Sequence, residues 1–472
     1  MKKSIKLVSV LSASALMAIG MSSMAFAATG WTMENGEWHY YKSNGDEVQD
    51  DWKKSGDNWY WLDSDGKMAT DSFIEDDGNY YYVNGDGVML MNQWKYIDTD
   101  YTDDGPGWYY FGSNGKALKQ TGDKAKLHEI AGRKYIFNAD GVMQYGWIDE
   151  NGVGHDEEDS EAWRDAVYYA GTESEGWLAT GWQALDVDTD DDDYQGYYWF
   201  YFNPANNKKI VDNDGRNIDG VRYGFDEDGV MLYEFSNVSN VATPANASDG
   251  YKYYQDYDNG VNKRNGWFKA VPDENINPQG YDDGIEKWFY ANSNGTLKAN
   301  TLTSINGKKY AFDEYGEMLS GLRGLKVEGT TITGYTDEIE AEDDLDLVEG
   351  TDYVVYYFGN ENDGAMKKNS ITINLDDATY RYEFKSDGAG RDGIYKDCIY
   401  VKGRRIEADT DKGYVMVDVD GVLNNNLGEA YLINTSGKIQ KKKTNIKDKD
   451  DYYYCTDADG IVIYKDVEKY KK

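Results

Sequence analysis

The chain has 472 residues with 86 acidic and 49 basic side chains, a formal net charge of −37 at pH 7. A surface this acidic repels nucleic acid and anionic membranes and favours cationic ligands. The 43 Tyr, 14 Trp and 13 Phe argue against disorder, because disordered chains are poor in aromatic residues.

The N-terminus reads as a secretory signal peptide over residues 1–27. Lys2, Lys3 and Lys6 precede an apolar run that ends in Ala25-Phe26-Ala27, a small-residue cleavage pattern. No second apolar run is long enough to span a bilayer, so no membrane insertion is expected after cleavage. The sequence therefore predicts a secreted protein that is associated with the cell surface or cell wall.

We expect the mature chain to begin at or near Ala28, because signal peptidase cleaves after the A-x-A pattern. N-terminal sequencing of exported protein checks this. Material that still begins with the lysine-rich segment would contradict it.

A repeated pattern follows, in which alternating aromatic residues precede a polar turn with Gly. It is clear in NGKKYAFDEYGEMLSG at 306–321 and has a period of about 20 residues between Gly30 and Trp147. A hairpin this short buries too little apolar surface to be stable alone, so neighbouring hairpins must stack. The prediction is an all-β solenoid of stacked β-hairpins, with helix confined to the signal segment.

The repeats divide the mature chain into three parts. Residues 28–321 hold the hairpin repeats with inserted loops, 322–352 an acidic irregular insert, and 353–472 divergent hairpin repeats with a C-terminal cap. The two cysteines, Cys398 and Cys455, belong to repeats that are not neighbours. Because stacked units contact only their neighbours, the pattern does not favour a disulfide.

Few residues indicate chemistry. Three D-x-D-G motifs begin at Asp63, Asp212 and Asp418, but each lacks the first ligand of a calcium loop, and Asp and Gly are ordinary turn residues. The acidic run over 186–193 reads as a solvated loop. The three histidines share no motif, and no segment of about 100 residues is free of the repeat. No metal, cofactor or catalytic residue is predicted, and the protein is not expected to be an enzyme.

The repeat unit is an aromatic residue, a second aromatic residue seven positions later, Tyr-Tyr, a turn, and Gly-x-Met. It resembles the cell-wall-binding repeats of the choline-binding family, clearly over 30–320 and weakly over 353–464. The resemblance implies ligand sites between consecutive hairpins. Each site takes an opening Trp, the first ring of the second strand, and a Tyr from the next hairpin.

The candidate ligand-binding residues implied by the resemblance fall into four groups along the chain. They are Trp31 and Trp38 with Tyr60; Trp52 and Trp59 with Tyr81; Trp182 with Trp199; and Trp267 and Trp288 with Tyr310, while Met68 and Met89 line neighbouring walls.

The resemblance implies a secreted, non-catalytic cell-wall-binding protein whose aromatic sites bind choline on teichoic-acid-type polymers. Two alternatives stay open. The same rings can stack on sugars, so the polymer can instead be a glucan or a host glycan. In the second alternative the rings are purely structural and the chain is a surface adhesin or scaffold.

Overall fold

A computed structural model describes residues 29–98, 106–155, 160–191, 194–238, 246–376 and 378–471. The predicted signal peptide and its cleavage site lie outside the described residues. The chain divides into two compact units. The first comprises the described residues within 1–183, 187–192 and 202–209, and the second those within 184–186, 193–201 and 210–472.

Antiparallel hairpins of two strands form the first unit. β1 (Gly30–Glu34) pairs with β2 (Glu37–Tyr41), β3 (Asp51–Ser55) with β4 (Asn58–Leu62), and β5 (Ser72–Asp76) with β6 (Asn79–Val83). β7 (Gln93–Ile97) pairs with β8 (Gly107–Phe111), β9 (Leu127–Ile130) with β10 (Arg133–Ile136), and β11 (Trp147–Ile148) with β12 (Tyr168–Tyr169). Helix α1 (Ala162–Asp165) lies between β11 and β12 in the chain. β13 (Gly181–Leu185) and β14 (Tyr198–Phe202) contain residues of both units.

The second unit begins with three further hairpins. β15 (Asn213–Ile218) pairs with β16 (Val221–Phe225), β17 (Phe235–Asn237) with β18 (Tyr251–Tyr253), and β19 (Gly266–Ala270) with β20 (Lys287–Ala291). Helix α2 (Pro278–Asp283) lies between β19 and β20 in the chain.

Larger sheets follow in the second unit. β21 (Thr301–Ile305), β22 (Lys308–Phe312), β23 (Leu322–Glu328), β24 (Thr331–Tyr335) and β25 (Val354–Tyr357) form a five-stranded sheet in the order β22-β21-β24-β23-β25. β26 (Asn369–Leu375), β27 (Ala378–Phe384), β28 (Gly393–Tyr395), β29 (Cys398–Val401) and β30 (Arg404–Arg405) form another in the order β26-β27-β30-β29-β28. β31 (Tyr414–Val417) pairs with β32 (Tyr431–Asn434), and β33 (Ile446–Lys447), β34 (Tyr453–Thr456) and β35 (Val462–Asp466) form a three-stranded sheet.

The prediction of an all-β fold built from β-hairpin repeats is confirmed for the described residues. The hairpin tips show why these sequences turn where they do. Asn35 and Gly36 have φ of 49° and 92°, and Asn306 and Gly307 have φ of 49° and 81°. Positive φ at both central residues defines the type I′ turn, whose twist matches that of paired strands and which favours Asn-Gly.

A second turn closes each repeat after its hairpin. Asn84 Oδ1 accepts the backbone N–H groups of Asp86 and Val88 at 3.0 and 2.9 Å. Asp63 and Asp418 make the same pair of bonds, which agrees with the turn interpretation of two D-x-D-G motifs. The motif at 212–215 differs, because strand β15 begins at Asn213 and its register shifts between Asn213 and Arg216.

Backbone hydrogen bonds join consecutive hairpins. Met68, which follows the second hairpin, donates its N–H to the carbonyl of Trp38 in the first at 2.7 Å. Met89 donates in the same way to Trp59 at 2.9 Å. Apolar cores lie between the joined hairpins: one buries Tyr82, Tyr109, Phe111 and apolar neighbours from the third to the fifth repeat. Each hairpin therefore completes the core of the one before it.

Two parts of the prediction are wrong. Helix is not confined to the signal segment, since α1 and α2 lie within inserts; at α2, Asn277 Oδ1 caps the first turn and Gly284 ends it at φ 64°. Residues 322–352 are not irregular, because they contain β23, β24 and a 3-10 helix over Asp343–Leu347. Their apolar residues are buried with those of later strands, in a cluster that includes Leu322, Ile339, Leu345, Val348, Val355 and Phe384.

Cys398 and Cys455 are both buried free thiols, as the separation of their repeats suggested. Among the described residues, the helices are all too short and too polar to cross a membrane.

Candidate functional site

The candidate site is a group of four side chains contributed by two consecutive hairpins, which we call an aromatic quartet. In the Trp52 quartet, Trp52 and Trp59 come from the two strands of one hairpin, and Tyr81 and Met89 come from the next. The Trp52 and Tyr81 ring centroids lie 5.0 Å apart, and the indole Nε1 of Trp52 donates to Asp76 Oδ2 at 3.2 Å. Tyr81 and Met89 are buried, whereas the two indoles are half-buried. The quartet therefore presents accessible ring faces on a buried base.

The Trp31 quartet repeats this arrangement one hairpin earlier. Its members are Trp31, Trp38, Tyr60 and Met68, with Trp31 and Tyr60 centroids 5.3 Å apart and steeply inclined at 71°. Trp31 also packs edge-on against Tyr40 on the paired strand, at 5.3 Å. Both quartets that the resemblance implies near the N-terminus are thus assembled from the predicted residues.

Sequence reasoning missed a third quartet, made of Trp94, Trp108, Tyr135 and Met143. The Trp94 and Tyr135 centroids are 5.0 Å apart, and the N–H of Met143 donates to the carbonyl of Trp108 at 2.8 Å. The loop between strands β7 and β8 lengthens the spacing between the two tryptophans, so the expected interval of seven residues is lost. The sequence still has the expected segments in the expected order: a strand with Trp94, then WYYF at 108–111, KYIF at 134–137 and GVM at 141–143. This order could have identified the third quartet.

The fourth quartet lies in the second unit and contains Trp267, Trp288, Tyr310 and Met318. Trp267 lies 4.8 Å from Tyr310 and 6.4 Å from Trp288, which it meets at 89°. Met318 donates its N–H to the carbonyl of Trp288 at 2.8 Å, so this methionine belongs with the three predicted rings. The insert that carries α2 lengthens the hairpin without separating its two tryptophans.

Trp182 and Trp199 fall in different units, Trp182 in the first and Trp199 in the second. Within the second unit, Trp199 Nε1 lies 3.4 Å from Asp258 Oδ1, and the carbonyl of Trp199 accepts the N–H of Met231 at 2.8 Å. Trp182 is half-buried on β13.

Each quartet methionine also packs on a turn glycine of the following repeat. A Cβ added to Gly87 would lie 2.8 Å from Cε of Met68, and Gly115, Gly176 and Gly364 meet Met89, Met143 and Met318 in the same way. A side chain at any of these positions would force the methionine thioether to move, and the glycines also have positive φ, which larger residues adopt only with strain. Three consecutive repeats therefore shape one site.

The rings of the quartets are placed to receive a cation. Trp, Tyr and Phe attract a positive charge over their faces, most strongly Trp, within about 6 Å of the ring centroid. The ammonium groups of Lys54 and Lys269 already lie 6.0 Å from Trp59 and 5.6 Å from Trp288. A quaternary ammonium, which makes no hydrogen bonds, suits a cage of rings and a thioether better than a primary ammonium does.

Other titratable groups do not gather into a comparable site. Among residues with described positions, no group of three or more His, Cys, Asp or Glu side chains is arranged to hold a metal ion. His39 Nδ1 lies 2.7 Å from Glu47 Oε1, and burial, with help from Lys126, lowers the pKa of His128. Three histidines in separate environments provide no shared chemistry.

Comparison with known proteins identifies two repeat families near the start of the described chain. Residues 48–94 match the model of the choline-binding repeat, and residues 29–46 match that of the putative cell wall binding repeat. Both stretches coincide with the hairpins of the first two quartets. No curated protein matches the chain.

Solved structures from Streptococcus pneumoniae share similarity with the chain. The choline-binding domain of Spr1274 is 31% identical, with 19% of this chain and 95% of that chain covered and a TM-score of 0.15. The choline-binding domain of CbpL is 24% identical, with 50% and 97% covered and a TM-score of 0.32. The modular autolysin LytC with a synthetic peptidoglycan ligand is 17% identical, with 63% and 55% covered and a TM-score of 0.34. The similarity to LytC thus spans about half of the autolysin's length.

The matched repeats identify a cell-wall-binding repeat protein. The chain belongs to the choline-binding repeat family.

Proposed function

We propose that the chain is an exported, non-catalytic protein that attaches to cell-wall polymers by binding their choline groups in its aromatic quartets. The observation that supports this most strongly is the recurrence of the quartet. The Trp31, Trp52, Trp94 and Trp267 groups share the same ring types, the same hydrogen bond from methionine to tryptophan, and Trp-to-Tyr centroid distances of 5.3, 5.0, 5.0 and 4.8 Å.

The strength of each site follows from the rings. One cation–π contact contributes about 0.5–2 kcal/mol, so three rings provide a few kcal/mol and a weak individual site. A polymer that carries many cholines can occupy several quartets at once, and the apparent affinity then rises through multivalency. Recurrence of weak sites therefore suits attachment to a wall better than capture of one soluble molecule.

The charge of the protein supports the same ligand. A net charge of −37 raises the local concentration of small cations around the chain. At the Trp52 quartet, Asp76 Oδ2 both accepts the indole N–H and places negative charge beside the ring. Neutral sugars gain nothing from this field, which favours choline over the glycan alternative.

The proposal predicts choline-specific release from a resin. The full mature protein is expected to bind an immobilised tertiary or quaternary amine, to remain bound through a wash in 1–2 M NaCl, and to be released by free choline. High salt screens ionic attraction at a Debye length of about 3 Å but leaves contacts inside a cage. The measurement is the fraction eluted at each step, with choline and NaCl matched in ionic strength.

The control is a variant with Trp31, Trp52, Trp94 and Trp267 all replaced by Leu, which keeps the net charge and should be released by salt alone. If the parent protein is also released by salt alone, the choline assignment is wrong. Release by a soluble α-glucan would favour the glycan alternative, and resin binding that is equal in the variant would favour purely structural rings.

A further inference from the structure

The hairpin β5–β6 has the four positions of a quartet but fills them differently. Phe73 and Tyr80 replace the two tryptophans, Tyr109 keeps the tyrosine position, and Ala117 replaces the methionine. The backbone is unchanged, because the N–H of Ala117 donates to the carbonyl of Tyr80 at 2.8 Å. Phe73 lies 5.2 Å from Tyr80 and 5.5 Å from Tyr109. The same backbone arrangement thus holds rings that attract a cation less strongly than Trp does. We call these four residues the Phe73 group.

A cation from the chain itself lies on this group. The ammonium Nζ of Lys119 is 4.4 Å from the Tyr80 ring centroid and donates to the carbonyl of Gly78, at the tip of the same hairpin, at 2.8 Å. This is shorter than the distances of 6.0 and 5.6 Å from Lys54 and Lys269 to quartet tryptophans. The contact combines a ring face and a hydrogen bond, so it fixes the ammonium.

Lys119 lies two residues after the methionine position, and this position is uncharged in the quartets. It is Thr70 in the Trp31 quartet, Met91 in the Trp52 quartet, Tyr145 in the Trp94 quartet and Ser320 in the Trp267 quartet. We propose that Lys119 is a built-in cation that occupies the Phe73 group and prevents it from binding an external quaternary ammonium. This inference rests on the proposed choline-binding function.

The physical reason is competition between a tethered cation and a free one. Lys119 is covalently held near Tyr80, so its effective concentration there exceeds that of a ligand at micromolar levels. An external cation entering the same group would meet a like charge within a few ångströms, besides displacing the hydrogen bond to Gly78. Phe and Tyr attract a cation less than Trp does, so the group cannot offset that repulsion.

Lys209 shows a related replacement in the same unit. It lies after β14 and takes the methionine position of the β11–β12 hairpin, since its N–H donates to the carbonyl of Val167 at 2.8 Å. Its buried ammonium donates to the carbonyls of Trp163 and Arg164 at 2.6 and 2.8 Å, and lies 5.7 Å from the Trp147 ring centroid. At these two hairpins, which lack a full quartet, a lysine of the chain thus places a positive charge near a ring.

Reciprocal substitutions in the full mature chain test the proposal. K119T places at this position the residue that the Trp31 quartet carries, and should increase the number of cholines bound per chain by one in equilibrium dialysis. K119R keeps the charge and should bind as the parent does. T70K introduces a lysine beside the Trp31 quartet and should lower its choline affinity at least 10-fold. An unchanged number of sites in K119T, or an unaffected Trp31 quartet in T70K, would overturn the proposal.

A second measurement does not depend on choline. Because the Lys119 ammonium lies over a ring, ring current should move the proton resonances of its ε-methylene upfield in the parent protein, and Y80L should remove the shift. If those resonances are unshifted without ligand, Lys119 is not a built-in cation. Failure of the parent protein to bind any choline would instead disprove the proposed function, so the two failures are distinguishable.

Discussion

Replacing Trp52 by alanine is expected to weaken choline binding at the Trp52 quartet by about 2- to 30-fold, because one cation–π contact contributes about 0.5–2 kcal/mol. Trp52→Phe keeps a ring of lower quadrupole, so its loss of choline affinity should lie in the lower part of that range. Titration with free choline is the right measurement, since multivalent binding to a polymer would hide the loss of one site.

Folding must be followed alongside binding. Trp52 packs against Trp61 and Tyr81 at 5.2 and 5.0 Å, and removing a fully buried Trp costs about 3–5 kcal/mol by packing alone; this half-buried indole should cost less. Trp163→Phe provides a matched control, since Trp163 is a buried indole of the same unit outside the quartets. If Trp52→Ala stays folded and binds choline as the parent does, the Trp52 quartet is not a cation site.

The second large effect concerns stability at neutral pH. Asp226→Asn is expected to raise the free energy of unfolding of the second unit by up to about 3 kcal/mol at pH 7–8. Burial raises the pKa of Asp226 to about 6, despite backbone N–H bonds that oppose the shift. Asparagine fits the same turn, because Asn84 and Asn138 accept the equivalent backbone bonds through their side-chain oxygens.

The direction of the stability change with pH follows from proton binding. Between pH 4 and 6 the folded chain holds a proton on Asp226 that the unfolded chain has released, so stability falls as the pH rises through this range. The stabilisation by Asp226→Asn should therefore be absent below about pH 4, grow up to about pH 6, and stay constant above it. Calorimetric unfolding at several pH values measures this profile.

Substitutions in two further turns, Asp313→Asn and Asp418→Asn, test whether burial of the charge is the cause. Burial, with Glu317 nearby, also raises the pKa of Asp313, so Asp313→Asn should stabilise in the same direction. Asp418→Asn removes the same charge from a turn whose bonds are exposed, and should change stability much less. An equal gain from Asp418→Asn would show that lower net charge, not burial, is responsible.

The sequence predicted the features that depend on local chemistry. Asn-Gly tips, Asp and Asn turns and alternating rings fix the hairpins of the first unit, because their causes act within a few residues. The resemblance could be applied to the residues of the Trp31 and Trp52 quartets because their hairpins keep the interval of seven residues.

Features that depend on distant packing were not predictable in this way. The loop between β7 and β8 lengthens the interval between Trp94 and Trp108, so a search by spacing missed the Trp94 quartet. The acidic character of 322–352 concealed buried residues such as Leu322 and Val348, whose partners lie after residue 353. The charge on Lys119 is visible in the sequence, but its place over Tyr80 depends on the approach of separate hairpins.

The sharing of each quartet between two hairpins has a consequence for repeat number. Trp52 and Trp59 need only a following hairpin with a tyrosine and a methionine in the positions of Tyr81 and Met89, not one particular hairpin. Recombination that removes or duplicates a whole repeat joins a new pair of neighbours and still completes a site at the junction. Under the proposed function, each added repeat with these rings adds one site, so a gene of this kind can change its valency in single steps.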